Sequence, residues 1–201
     1  MTIKIIIVTV LVSILAFRNH QLMGKLIFNP YMISHRKEWF RFISSGFIHA
    51  DMIHLFVNMY VLYVFGGMVE NFYSEAFDEK SVLYFILLYI GSLIVSIMPS
   101  YNKHKENYLY NALGASGAVS AVLFAFILFQ PLTPLYFFGV IKLPGIVMGI
   151  AYLFFEYYMG KKGGDNINHD AHFWGAVFGV VFTIGLKPSI AMHFIEQLRA
   201  F

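Results

Sequence analysis

Residues 111 to 125 read NALGASGAVSAVLFA. One hydroxyl, Ser116, sits there between Gly114 and Gly117 at the mouth of an apolar helix. The stretch belongs to a longer run, Asn107 to Ile141, that contains no Asp, Glu, Lys or Arg. A bilayer core takes about 20 apolar residues per helix, so this run holds one full span and a Pro-broken entry into the next. Within it Ser116 can be a helix cap, a packing residue or a nucleophile, and the rest of the chain has to decide.

Composition agrees with a membrane setting. The 201 residues are 59% hydrophobic and only 12% charged, where a soluble domain carries roughly 25% charged residues. Mean hydropathy is +0.68. The length suits one compact helical bundle, a single domain over residues 1–201. The net charge of +3 is spread over loops rather than gathered on a face, so no nucleic-acid partner is implied. With no cysteine, disulfides, thiolate chemistry and Cys-ligated metals are excluded. Lys4 and the apolar run Ile5–Phe17 have the outline of a signal peptide, but no small-x-small cleavage pattern follows. They read as a short uncleaved first helix from which Lys4 snorkels.

The predicted fold is all-α: a polytopic membrane protein with six transmembrane helices near 2–17, 49–69, 81–98, 115–130, 138–159 and 170–186. The first loop mixes Arg18, Lys25, Arg36, Lys37 and Arg41 with Phe28, Tyr31, Trp39 and Phe40. That mixture suits a segment lying in the membrane interface. With six spans, the second, fourth and sixth start from the same side. Their openings carry the unusual polar groups: His49, His54 and Asn58; Ser116; His169 and His172. Polar groups at membrane depth are costly and tend to face the bundle interior and serve function. Each alone reads as interhelical glue; a set converging at one depth reads as a site. Ala118, Ala121 and Ala125 on the fourth span, with Ala171, Gly175 and Gly179 on the sixth, supply small faces for close approach.

A serine needs a base to take its proton and donors to hold an oxyanion. His172 supplies a base, and Asn58, His54 and the first N–H groups of the fourth helix supply donors. Glycines beside Ser116 leave room for a carbonyl to approach. Asp170 lies on another side of its helix from His172, Asp165 lies in a loop and Glu156 near the far end of the fifth span. None is expected to orient His172, so a Ser–His dyad is the reading.

Three segments together resemble the rhomboid intramembrane serine proteases in their compact six-helix bacterial form. GASG at 114–117 is similar to the family's Gly-x-Ser-Gly. HADMIHLFVNMYVLYVFGGMVE at 49–70 is similar to its His-x4-His-x3-Asn helix with a following Gly-Gly-x-x-Glu. HDAHFWGAVFG at 169–179 is similar to its sixth helix. The resemblance implies hydrolysis of a peptide bond in or beside a transmembrane segment, with Ser116 as nucleophile and His172 as base. It makes Asn58, His54 and the Ser116 N–H the oxyanion hole. His49, Glu70 and Arg41 become structural supports, and Gly114 and Gly117 shape the active turn. It implies no cofactor and no metal, a transmembrane protein substrate in a lipid bilayer, and a bacterial cell membrane with the site opening on the extracytoplasmic side. Two positions depart from the pattern. Ser120 stands where an aromatic often stacks on the base, and Phe40 separates Trp39 from Arg41.

The alternatives are an inactive relative that binds transmembrane segments without cutting them, a metalloenzyme built on His49, His54, His169 and His172, and a small transporter. Charge counting opposes the implied orientation. Nine of the 14 basic residues fall on the site side, five of them in the first loop, and the positive-inside rule would make that side cytoplasmic. An interface-embedded first loop need not count as a translocated loop, and the resemblance is followed here.

Overall fold

The computed structural model describes residues 1–137 and 140–199. Six long helices form its body: α1 (Thr2–Arg18), α5 (Met52–Phe77), α6 (Ser81–His104), α7 (Ser116–Phe129), α8 (Gly145–Lys162) and α9 (His169–Leu186). Between α1 and α5 the first loop folds into α2 (His20–Leu26), α3 (Pro30–Arg36) and α4 (Arg41–Ser44). A short helix, α10 (Ser189–Arg199), follows α9 at a bend of 112°.

Side-chain contacts fix the directions of the helices. Tyr73 bonds Thr183, so the ends of α5 and α9 lie together. Ser100 near the end of α6 bonds Asn168 before α9, so α6 runs opposite to α9. Ser13 near the end of α1 bonds His49 just before α5, so α1 runs opposite to α5. Glu156 near the end of α8 bonds His172 near the start of α9. Gly117 and Ala121 on α7 lie against Gly175 and Gly179 on α9, so those two run together; thus α5, α7 and α9 point one way and α1, α6 and α8 the other. The helical run Met52–His104 is 53 residues long, apolar enough to cross a membrane, and broken at Asp78 (φ 49°) into the two limbs α5 and α6.

Polarity is distributed opposite to that of a soluble protein. Ile7, Leu11 and Leu15 on α1, Ile53 and Phe56 on α5, and Phe154 on α8 are exposed. Thr9, Ser13, His49, Asn58, Ser92, Ser96, Glu156 and His169 are buried. Apolar surface of this extent on the outside marks a face that meets lipid.

At the centre stands α7, with every residue buried except Ser116 and Leu123. Its 14 residues are short for a span, about 21 Å at 1.5 Å each against a hydrocarbon core of about 30 Å. The loop before it dips inward to reach it. Phe28 and Ala112 exchange backbone hydrogen bonds, the Gly114 N–H donates to the Ser45 carbonyl, and the Asn29 amide donates to the Tyr108 carbonyl. The first loop therefore clamps the segment that delivers Ser116. Arg41, itself buried, pins that loop by donating to Glu38 at 2.6 Å and to the carbonyls of Gly24 and Ile27.

Several features correct the sequence reading, among them the third helix, which runs to His104 rather than 98. The second helix continues to Phe77 rather than 69, and its Glu70 accepts from the Met1 amine and the Thr2 N–H. The expected start of the fifth helix, residue 138, lies outside the described residues; α8 begins at Gly145, after an antiparallel hairpin of β1 (Pro134–Phe137) and β2 (Ile141–Pro144). The amphipathic α10 was not foreseen. Its Gln197 donates to the Phe129 carbonyl at the end of α7, satisfying one of the carbonyls that a helix end leaves open.

The tightest helix pair is α7 with α9. A Cβ on Gly175 would overlap the Gly117 carbonyl, and one on Gly179 would overlap the Ala121 carbonyl. We therefore expect Gly179→Leu to destabilise the bundle by about 1–3 kcal/mol or more, read as a lower thermal midpoint in detergent. Gly185→Ala, on the same helix where an added Cβ meets nothing, should hold or slightly raise the midpoint.

Candidate active site

Ser116 is the first helical residue of α7, and the capping position before it is Ala115. The hydroxyl is therefore not a helix cap. It opens on a cavity of about 740 Å³ that also exposes His172, His54 and Asn58, with apolar walls that include Val57 and Leu123. The turn before the serine depends on Gly114, whose φ of 112° suits glycine and whose missing Cβ makes room for the His54 ring. Being at the helix start, Ser116 also presents an N–H with no partner inside the helix.

His49 is fully buried. The Ser13 hydroxyl donates to the Phe47 carbonyl, so it accepts from His49 Nδ1 at 3.0 Å. That tautomer leaves His49 Nε2 as the acceptor for the Ala115 N–H at 3.4 Å. One imidazole thus ties α1 to the active turn. Asn58 Nδ2 donates one proton to the His54 carbonyl at 2.9 Å and keeps the second. The His54 backbone is capped by Asp51 at 2.8 Å.

Around His172 the structure corrects the sequence reading. His172 Nδ1 lies 3.0 Å from Glu156 Oε1, so the expectation that no acid orients this histidine does not hold. The reason is directional. α8 runs opposite to α9, so its C-terminal end reaches the very level at which α9 begins. Because a carboxylate only accepts, His172 carries its proton on Nδ1 and leaves the Nε2 lone pair free. Among the described residues, Ser116 Oγ and His172 are not hydrogen-bonded to each other; such contacts often close only in the Michaelis complex.

The other Glu156 oxygen, Oε2, is 2.5 Å from His169 Nδ1, and His169 Nε2 faces the Asp165 carboxylate at 3.0 and 3.2 Å. In the loop, the hydrogen bond from His169 holds the exposed Asp165 carboxyl below its ordinary range. The four-histidine metal set is not assembled, since both His49 nitrogens are engaged elsewhere. Glu156, His169 and His172 do bring ligand-type atoms within 4.8 Å of one another, yet each carboxylate oxygen already accepts from one imidazole.

Tyr152, one turn before Glu156 on α8, answers the departure at Ser120. Its hydroxyl bonds Ser120 at 2.7 Å, and its ring lies nearly parallel to that of His172, 6.5 Å between centroids. The aromatic beside His172 comes from α8 instead of α7. Sequence reasoning missed both α8 residues. The available signal was a lone carboxylate in the apolar run Leu153-Phe-Phe-Glu-Tyr-Tyr158, which at membrane depth needs a partner.

Comparison with known proteins meets this geometry. The Rhomboid domain model matches residues 36–189. The chain is 30% identical over 149 residues to RHOMBOID-like protein 12, mitochondrial, of Arabidopsis thaliana, covering 69% of this chain and 44% of that protein. It is 31% identical over 165 residues to Presenilin-associated rhomboid-like protein A, mitochondrial, of Danio rerio, covering 79% and 40%. Rhomboid-like protein 11, chloroplastic, of Arabidopsis thaliana is 27% identical over 175 residues, covering 81% and 58%. The chain thus spans about half the length of these relatives. Their organellar names give no support to a bacterial membrane, an expectation that rested on compactness alone. A domain match over three quarters of the sequence, on a bundle whose exposed face suits lipid, places this chain in the rhomboid family of integral membrane proteins.

Proposed function

We propose that this protein is an intramembrane serine endopeptidase that cuts peptide bonds in or next to the transmembrane segments of membrane proteins. The observation that carries the reading is the cavity itself: a hydroxyl, an imidazole with its Nε2 free, and amide and imidazole donors share one hollow beneath the surface. The six long helices are read as six membrane spans. The site opens on the face opposite to Met1 and α10, which we take as extracytoplasmic.

Ser116 Oγ attacks the scissile carbonyl carbon while His172 Nε2 takes the hydroxyl proton. The resulting oxyanion accepts from Asn58 Nδ2, His54 and the Ser116 N–H, donors that are in place before charge develops. His172 then gives its proton to the leaving amine, and the acyl-enzyme is hydrolysed by water along the same proton path. An intact substrate helix keeps its carbonyls in hydrogen bonds, so cutting requires local unwinding, favoured at small or helix-breaking residues.

The alternative is a rhomboid-like protein that holds transmembrane segments without cleaving them. Incubation with a generic transmembrane reporter substrate separates the two. The wild type should yield product, and Ser116→Ala and His172→Ala should each lose about 10³-fold or more in rate. No product from the folded wild type, or equal product from both variants, would contradict the protease reading. Asn58→Ala should lower kcat by about 10²-fold.

The Tyr152 contact gives a finer expectation. Tyr152→Phe keeps the ring and should cost less activity than Tyr152→Ala, for which a fall of about 2- to 10-fold corresponds to a lost aromatic contact. Steady-state kinetics on the same reporter checks the order.

A further inference from the structure

We propose that Glu156 is a positioning residue for the base, so that this protein works with a Ser116–His172–Glu156 arrangement rather than a bare dyad. The inference rests on the protease reading and adds a group that the sequence had given no role. Glu156 projects from α8 into the cluster at the start of α9, is buried, and accepts from His172 Nδ1 at 3.0 Å. Its position has two consequences. It fixes the tautomer that leaves Nε2 free for Ser116. It also places a full negative charge beside the imidazolium that forms when His172 takes the serine proton; that proton stays on His172 until it passes to the leaving amine, and Glu156 takes up none.

The surroundings hold the carboxylate in this role. Oε2 accepts from His169 Nδ1 at 2.5 Å, so Glu156 cannot rotate away without losing that bond. His169 in turn has both nitrogens against carboxylate oxygens, those of Glu156 and Asp165. Both bonds are complete only with a proton on each nitrogen. His169 then carries a positive charge that balances one of the two acids, and the cluster retains one net negative charge for His172. The charged chain Asp165–His169–Glu156–His172 runs from the surface loop to the base. A buried carboxylate without such partners would cost several kcal/mol.

The test uses the full-length protein in detergent or vesicles with the transmembrane reporter, and compares Glu156→Gln and Asp165→Asn with wild type. Gln keeps the size and an oxygen acceptor but removes the charge. We expect Glu156→Gln to lower kcat by about 10- to 100-fold with KM within about twofold, short of the loss from removing the acid of a buried triad. Glu156→Asp should recover part of the rate. Asp165→Asn, in an exposed loop where folding is not at stake, should lower kcat by about two- to threefold, because it reaches His172 only through His169 and Glu156. The thermal midpoint of each variant is measured alongside. A folded Glu156→Gln protein with wild-type kcat would overturn the proposal while leaving the protease reading intact. Activity abolished by a chelator and restored by zinc alone would overturn it in favour of a metal held by Glu156, His169 and His172. A wild type that cleaves nothing would instead remove the protease reading on which the proposal stands.

Discussion

Two backbone contacts set the spacing on which the site depends. The carbonyls of Gly117 and Ala121 on α7 press against Gly175 and Gly179 on α9, where any side chain would collide. Two helices this close bring the residues at their shared end together, and those residues are Ser116 and His172. In lipid no hydrophobic force draws helices together, so small residues and close van der Waals contact carry the association. The stripe of small residues is therefore what makes the geometry of the cavity possible, and it does so without lining the cavity itself.

The second constraint is electrical. A polar cluster below a membrane surface keeps polar and charged groups in surroundings that resist them. The structure meets this by pairing many such groups inward, although Thr2, Thr9, Tyr89 and Asn168 each keep a buried polar atom without a partner. His49 bridges Ser13 and the active turn, Arg41 is spent on carbonyls of the first loop, and Ser120 satisfies Tyr152. His169 bridges the carboxylates of Glu156 and Asp165. Among the described residues, the cavity lining keeps free capacity at the Ser116 hydroxyl, His172 Nε2, the His54 ring and the second Asn58 amide proton.

Much of this was legible in the sequence because parity and periodicity carry direction. Counting spans was enough to put Asn58, Ser116 and His172 at one depth, and spacing by four predicted the ridge Ala171, Gly175, Gly179. What the sequence obscured depended on three-dimensional register. The same parity argument that gathered the other residues also places the C-terminal end of the fifth helix beside His172. Glu156 was nevertheless set aside as lying near the far end of its helix, although that far end is the one beside His172. Tyr152 was invisible for a related reason: the expected aromatic is four residues after the serine, and the structure supplies it from a different helix. The hairpin at 134–144 and the cap from α10 involve turn geometry and tertiary contacts that hydropathy does not encode.

The central claim, that Ser116 and His172 act together on a carbonyl held in this cavity, is tested most directly by the structure of the protein after reaction with a peptidyl chloromethyl ketone. The account predicts two covalent bonds, from Ser116 Oγ to the former carbonyl carbon and from His172 Nε2 to the methylene carbon, with the oxyanion about 3 Å from Asn58 Nδ2. An inhibitor bonded elsewhere, or bonded to His172 with Ser116 turned away from it, would contradict the account.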